Sequence, residues 1–126
     1  MKIELDFTEN TNNRIDSYKN GIIIINGESY ASSVIVTPEK LLPEWGPESH
    51  IDLASQHILQ IISLNPEIII IGTGQNTIQL DHDLTIPMLD AGIGYEIMDT
   101  GAACRCYNLL MGEGRKVATG LLQIKT

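Results

Sequence analysis

Apolar and polar positions alternate in the first third of the chain and recur with helical spacing in the rest. Ile3, Leu5 and Phe7 alternate with charged residues, the signature of a half-buried strand. Residues 8–13 are polar and read as a loop, and residues 14–19 as a further strand. Asn20-Gly21 and Asn26-Gly27 are hairpin turns, since both residue types tolerate positive φ. Between them Ile22–Ile25 is β-branched throughout, which predicts a strand buried on both faces. Tyr30–Thr37 reads as one more strand, ending in Val34, Ile35 and Val36, and Thr37-Pro38 stops it. The result is an N-terminal antiparallel meander.

Beyond an irregular stretch holding Pro43, Trp45 and Pro47, the period lengthens. Ile51, Ala54, Ile58, Ile61 and Ile62 predict a helix capped by Ser49 or Asp52. His57 lies at the flank of its stripe, as a satisfied core-edge residue does. Asn65-Pro66 ends that helix. Residues 67–71 give a fully buried strand, followed at once by Gly72-Thr73-Gly74. Residues 76–80 look extended. Residues 87–91 predict a short helix with Pro87 in its first turn and Gly92 beyond it. Ile97 and Met98 mark another strand, and Asp99 and Thr100 are both good N-cap residues. The following helix carries a stripe of Ala103, Cys106, Tyr107, Leu110 and Met111, with Arg105, Asn108 and Gly112 opposite. Gly112 and Gly114 stop it. Residues 117–124 form a final strand. Antiparallel strands in front and alternating strands and helices behind imply a mixed sheet.

A chain of 126 residues is expected to be one domain spanning 1–126. Its net charge of -8 disfavours binding to phosphate backbones, so no nucleic-acid partner is expected. Its apolar runs are too short to insert in a membrane. The first residues have neither a secretory core nor an Arg-rich leader, which predicts a cytoplasmic protein. The two cysteines, Cys104 and Cys106, point about 200° apart on a helix and cannot bridge. Cys106 belongs to the apolar stripe. Cys104 falls at its edge, near the helix N-terminus, where a thiol pKa can be lowered.

Candidate chemistry is sparse. Gly72-Thr73-Gly74 lacks the Gly-Lys-Ser/Thr ending of a phosphate loop and has Thr77 where a dinucleotide fingerprint needs glycine. It reads as a tight turn whose backbone N–H groups are able to cradle an anion. Asp81-His82-Asp83 reads as an acidic surface loop, because His50 and His57 are not spaced to complete a metal site. No metal, cofactor or catalytic residue is expected. Asp99, Thr100, Arg105 and Asn108, with Gly72–Gly74, form one anion-binding candidate at a helix N-terminus. Trp45, between two prolines, is either a lid over the core edge or an anchor for a partner.

The run Gly92–Asn108 (Gly-Ile-Gly-Tyr-Glu-Ile-Met-Asp-Thr-Gly-Ala-Ala-Cys-Arg-Cys-Tyr-Asn), followed by Glu113-Gly-Arg-Lys-Val117, resembles the Mth-domain family. The Ile71–Gly74 turn and the Pro43-x-Trp45 segment match further parts of its pattern, so the likeness covers nearly the whole chain. The family usually has threonine where this chain has Cys106, a swap close in size. The resemblance implies an α+β fold, a three-layer β/β/α single domain with a mixed sheet and two main helices. It implies no catalytic activity. For its mitochondrial members it implies a protein-binding role in assembly of a respiratory complex.

Two functions follow as expectations. The first is a non-enzymatic protein-interaction module, working as a monomer or homodimer and assisting assembly of a larger complex. The alternative is a small anionic-ligand-binding domain or an unrecognised enzyme using Gly72–Gly74 with Arg105 and Asn108.

Overall fold

A computed structural model describes residues 12–126; the strand expected at Ile3, Leu5 and Phe7 lies outside the described residues. Strands β1 (Ile15–Lys19), β2 (Ile22–Ile25) and β3 (Glu28–Tyr30) form an antiparallel sheet in that order. Asn26 and Gly27 take φ of 53° and 82°, the paired positive values of a primed hairpin turn. The isoleucine run obeys the period of two rather than burying both faces. Ile23 and Ile25 are fully buried, while Ile22 and Ile24 stay half-exposed on the outer face, which among the described residues carries no further layer.

The expected strand at 30–37 is broken. β3 ends at Tyr30, and β4 (Val34–Val36) enters a second sheet. The crossover is held from outside: the Gln123 amide nitrogen donates to the carbonyls of Tyr30 (2.9 Å) and Ser32 (2.8 Å). The second sheet also contains β5 (Leu41–Leu42), β6 (Ile68–Gly72), β7 (Gly94–Met98) and β8 (Val117–Leu121), ordered β5-β4-β8-β6-β7. β4 runs antiparallel to β5 and β8, and β6 runs parallel to β7 and β8. The mixed sheet is therefore present.

Alternation sorts this sheet's side chains into two cores. Val34, Val36, Ile70, Val117 and Leu121 face the three-stranded sheet and helix α3 (Thr100–Gly112). Ile35, Ile69, Ile71, Ala118 and Leu122 face helices α1 (Ser55–Ile62) and α2 (His82–Asp90). The larger sheet is thus the middle of three layers in an α+β fold.

Three differences from the sequence reading have physical causes. α1 starts at Ser55; Ser49 caps a separate short 3-10 turn, His50–Asp52, and Ile51 is 80% exposed instead of joining the stripe. α2 is a full helix that begins inside the supposed acidic loop, with Pro87 in its interior. Asp83 sits in its first turn, where a carboxylate meets the positive end of the helix dipole, and Leu84 and Met88, one turn apart, bury its inner face. On α3 the buried set is Thr100, Gly101, Ala103, Cys104 and Tyr107. The helix packs against β1 as well as β6 and β8, which rotates the covered stripe toward Cys104 and leaves Cys106 half-buried.

Candidate functional site

The Gly72–Gly74 turn leaves the end of β6 and meets the start of α3. Thr100 is fully buried there. Its hydroxyl donates to the Leu122 carbonyl (2.7 Å) and accepts from the Gly74 N–H (2.8 Å). Its own N–H donates to the Gly74 carbonyl (2.8 Å), and the Thr73 N–H donates to Met98 (2.9 Å). The Thr73 hydroxyl donates to the Asn76 carbonyl (2.6 Å) and accepts from the Ile78 N–H (3.2 Å). Gly72 leaves no room for a side chain, since a Cβ would come within 2.9 Å of the Thr100 hydroxyl oxygen. The N–H groups of Thr73 and Gly74, which an anion nest would need, are thus given to protein acceptors. Asp99 caps α3 by accepting from the Ala102 N–H (2.9 Å).

Arg105 and Asn108 lie one turn apart on α3 but bind β1, away from the glycine turn. The Asn108 side chain pairs with both backbone groups of Ile15, accepting from its N–H (3.0 Å) and donating to its carbonyl (2.7 Å). An amide is the one side chain able to imitate a neighbouring strand in this way. Arg105 donates to the Tyr18 hydroxyl and lies 6.0 Å from that ring's centre. Tyr18 in turn packs over Gly101, where a Cβ would come within 2.8 Å of the ring. Tyr107 adds a bond from its buried hydroxyl to the Asn13 carbonyl (2.7 Å).

Trp45 is 3% exposed. Its ring covers Gly120, where a Cβ would lie 2.6 Å from it, and its indole N–H donates to the His57 carbonyl (3.1 Å). This is the lid geometry, and it leaves almost no ring surface for a partner. His57 is a satisfied core-edge residue: its Nδ1 accepts the Ala54 N–H (2.9 Å), and its ring meets Trp45 edge-on. Burial pushes the Cys104 thiol up to about 12. The thiolate needed for reactivity is thereby suppressed; Cys104 is the more deeply buried of the two, while Cys106 is half-buried against the same core and its thiol is raised as well, first by desolvation.

Among the described residues, clefts open at opposite ends of the parallel strands. At the carboxyl ends of β6 and β8 a small depression of about 180 Å³ includes Thr73, Gly74, Asn76, His50 and Gln123; Arg105 and Asn108 are not part of it. The Gln123 side-chain oxygen is buried there without a hydrogen-bond partner. At the amino ends of β6 and β8 a larger cleft of about 470 Å³ is rimmed by Lys40, Arg115, Lys116 and the carboxylate of Glu39, over Leu64, Pro66 and Met111. Glu67 stands beside it, accepting from the Arg115 Nε (2.9 Å) and the Lys116 N–H (2.9 Å). The bond from the Lys116 backbone, followed by that from Arg115, holds its carboxyl below the usual value. Sequence reading missed this cleft, although Arg115-Lys116 is the one adjacent pair of cations in the chain.

These features define a mixed-sheet α+β protein whose motif-like polar residues are largely committed to holding the chain together. The family described as "Protein of unknown function (DUF498/DUF598)" matches residues 15–122, and the chain belongs to it. It is 32% identical over 110 residues to "NADH dehydrogenase [ubiquinone] 1 alpha subcomplex assembly factor 3" of Xenopus tropicalis, covering 86% of this chain and 60% of the relative. The human protein of that name is also 32% identical, over 86% of this chain and 59% of the relative. The chain thus spans about three fifths of the length of these relatives. Among solved structures, a Bordetella parapertussis protein superposes with a TM-score of 0.85 at 33% identity, over 90% of this chain and 97% of that one. A Bordetella pertussis protein described as a Mth938-like domain gives 0.79 at 28% identity, over 90% and 87%. The resemblance to the Mth-domain family read from Gly92–Asn108 is confirmed by these matches.

Proposed function

We propose that the chain is a non-enzymatic protein-interaction module that assists assembly of a larger, respiratory-type complex. The observation that carries this is the 32% identity over 86% of the chain to a relative named as a complex assembly factor. The site geometry supports it, because Thr73, Gly74, Thr100 and Asn108 spend their polar groups on other parts of the chain. A catalytic group needs a free atom within hydrogen-bond reach of substrate. The whole chain acts as one Mth-like unit, in the cytoplasm. Affinity capture of the tagged protein from extract of its own cell tests this. Stoichiometric retention of a defined multisubunit intermediate is expected; recovery of the chain alone, from crosslinked as well as native extract, contradicts it.

A further inference from the structure

The cleft at the amino ends of β6 and β8 gathers three of the chain's eight lysines and arginines against a single lining carboxylate, Glu39, in a protein of net charge -8. Each cation stands on a fixed backbone. Lys40 lies in the β4–β5 turn, where the Thr37 hydroxyl accepts from the Lys40 N–H (2.9 Å) and the Thr37 N–H donates to the Lys40 carbonyl (2.8 Å). Arg115 is held through its Nε by Glu67, which also takes the Lys116 backbone N–H. Among the described residues neither Lys40 nor Lys116 has a carboxylate partner.

The C-terminal ends of α1 and α3 lead into this cleft at Leu64 and Gly114. Negative helix ends favour a nearby cation, which accounts for Arg115. They do not account for Lys40, which stands on a turn between strands. The cleft's floor is apolar, formed by Leu64, Pro66, Met111 and Val117. Its volume of about 470 Å³ lies within the usual range for binding pockets. A bare inorganic anion would leave such a floor uncovered. An extended peptide places apolar and acidic side chains on alternate sides of its backbone, so one strand of partner covers the floor and meets the rim.

We propose that this cleft is the docking groove for an acidic segment of a partner protein that also carries apolar side chains, an inference that rests on the interaction-module reading. The acidic remainder of the surface repels such a segment elsewhere and leaves the groove as its landing point.

The probe is an acetylated, amidated heptapeptide alternating Glu or Asp with Leu, titrated into the full chain and followed by amide NMR shifts. Saturable shifts confined to residues 38–40, 64–66 and 114–117 are expected. A Gln/Asn counterpart should bind at least about tenfold more weakly, as should the Lys40→Glu/Lys116→Glu variant. Both positions are exposed, so the variant is expected to melt as the parent does. No saturable shifts, shifts elsewhere, or equal binding of the neutral peptide would overturn the proposal. Self-association that the double variant abolishes would give the groove to a second copy. Shifts at the same amides in Glu4→Lys/Asp6→Lys, with no peptide added, would give it to the chain's own first residues. In affinity capture, a double variant that keeps the intermediate moves the groove but leaves the interaction role standing. A parent chain that captures nothing removes that role, whatever the peptide does.

Discussion

The two ends of the parallel strands β6 and β8 make opposite use of polar residues. At the carboxyl end, Gly72–Gly74, Thr100 and Leu122 are tied to one another by bonds of 2.7 to 3.0 Å, and one buried oxygen, that of Gln123, is left over. At the amino end, Glu67 organises the backbone around Arg115 and Lys116 while the charged heads of Lys40 and Lys116 stay unpaired among the described residues. The first end looks like a site in sequence and behaves as a joint in the fold. The second is unremarkable in sequence and is the one with atoms to spare. A polar cluster points to binding only when its donors and acceptors outnumber the internal partners they satisfy.

Substitutions at the closed end and its supporting core should cost folding stability. The largest loss is expected for Trp45→Ala, about 3–5 kcal/mol for emptying a large buried aromatic site, read from denaturant midpoints. Gly120 beneath the ring has no side chain with which to fill the space. Thr100→Val is of comparable size. It keeps the shape but strands the buried Gly74 N–H and Leu122 carbonyl, at about 1–3 kcal/mol for each group left unsatisfied. Asn108→Ala removes two bonds to Ile15 at a half-buried position, for about 1–2 kcal/mol. It should also raise hydrogen exchange at Ile15. A loss as small for Thr100→Val as for an ordinary surface change would break the contrast between the two ends.

The smallest effect belongs to the open end and depends on pH. The Glu67 carboxyl is lowered in the fold, first by the Lys116 N–H and then by Arg115. Its contribution is therefore present above the ordinary carboxylate value and is lost as pH falls through the folded value. Glu67→Gln should lower stability slightly at neutral pH, match the parent in acid, and so flatten the acid limb of the stability–pH curve. A steep acid limb that persists in the variant would show that other carboxylates dominate it.

Much of this architecture was legible in the chain. Asn20-Gly21 and Asn26-Gly27 announced their hairpins, because few residues accept positive φ. Asp99 and Gly114 bracketed α3 because caps are local chemistry. The Gly92–Asn108 run disclosed the family. What stayed hidden is non-local. The crossover between β3 and β4 depends on Gln123, some 90 residues away, so Tyr30–Thr37 read as one strand. Cys104 read as an edge residue because the stripe was centred on one packing surface, whereas α3 meets both sheets. The onset of α2 was masked by Pro87, which suggested a first turn and sits mid-helix instead. The basic cleft joins Lys40 to Arg115 and Lys116 across most of the chain, and only the adjacent pair is visible locally.

The most direct measurement pairs two variants in one experiment: denaturant unfolding and partner capture for Thr100→Val and for Lys40→Glu/Lys116→Glu. The expected result is a crossed pattern. Thr100→Val should unfold at clearly lower denaturant yet still capture its partner when folded, and the lysine pair should unfold like the parent and capture none. The reverse pattern, capture lost with Thr100→Val at undiminished stability and kept in the lysine pair, would contradict the assignment of one strand end to folding and the other to binding.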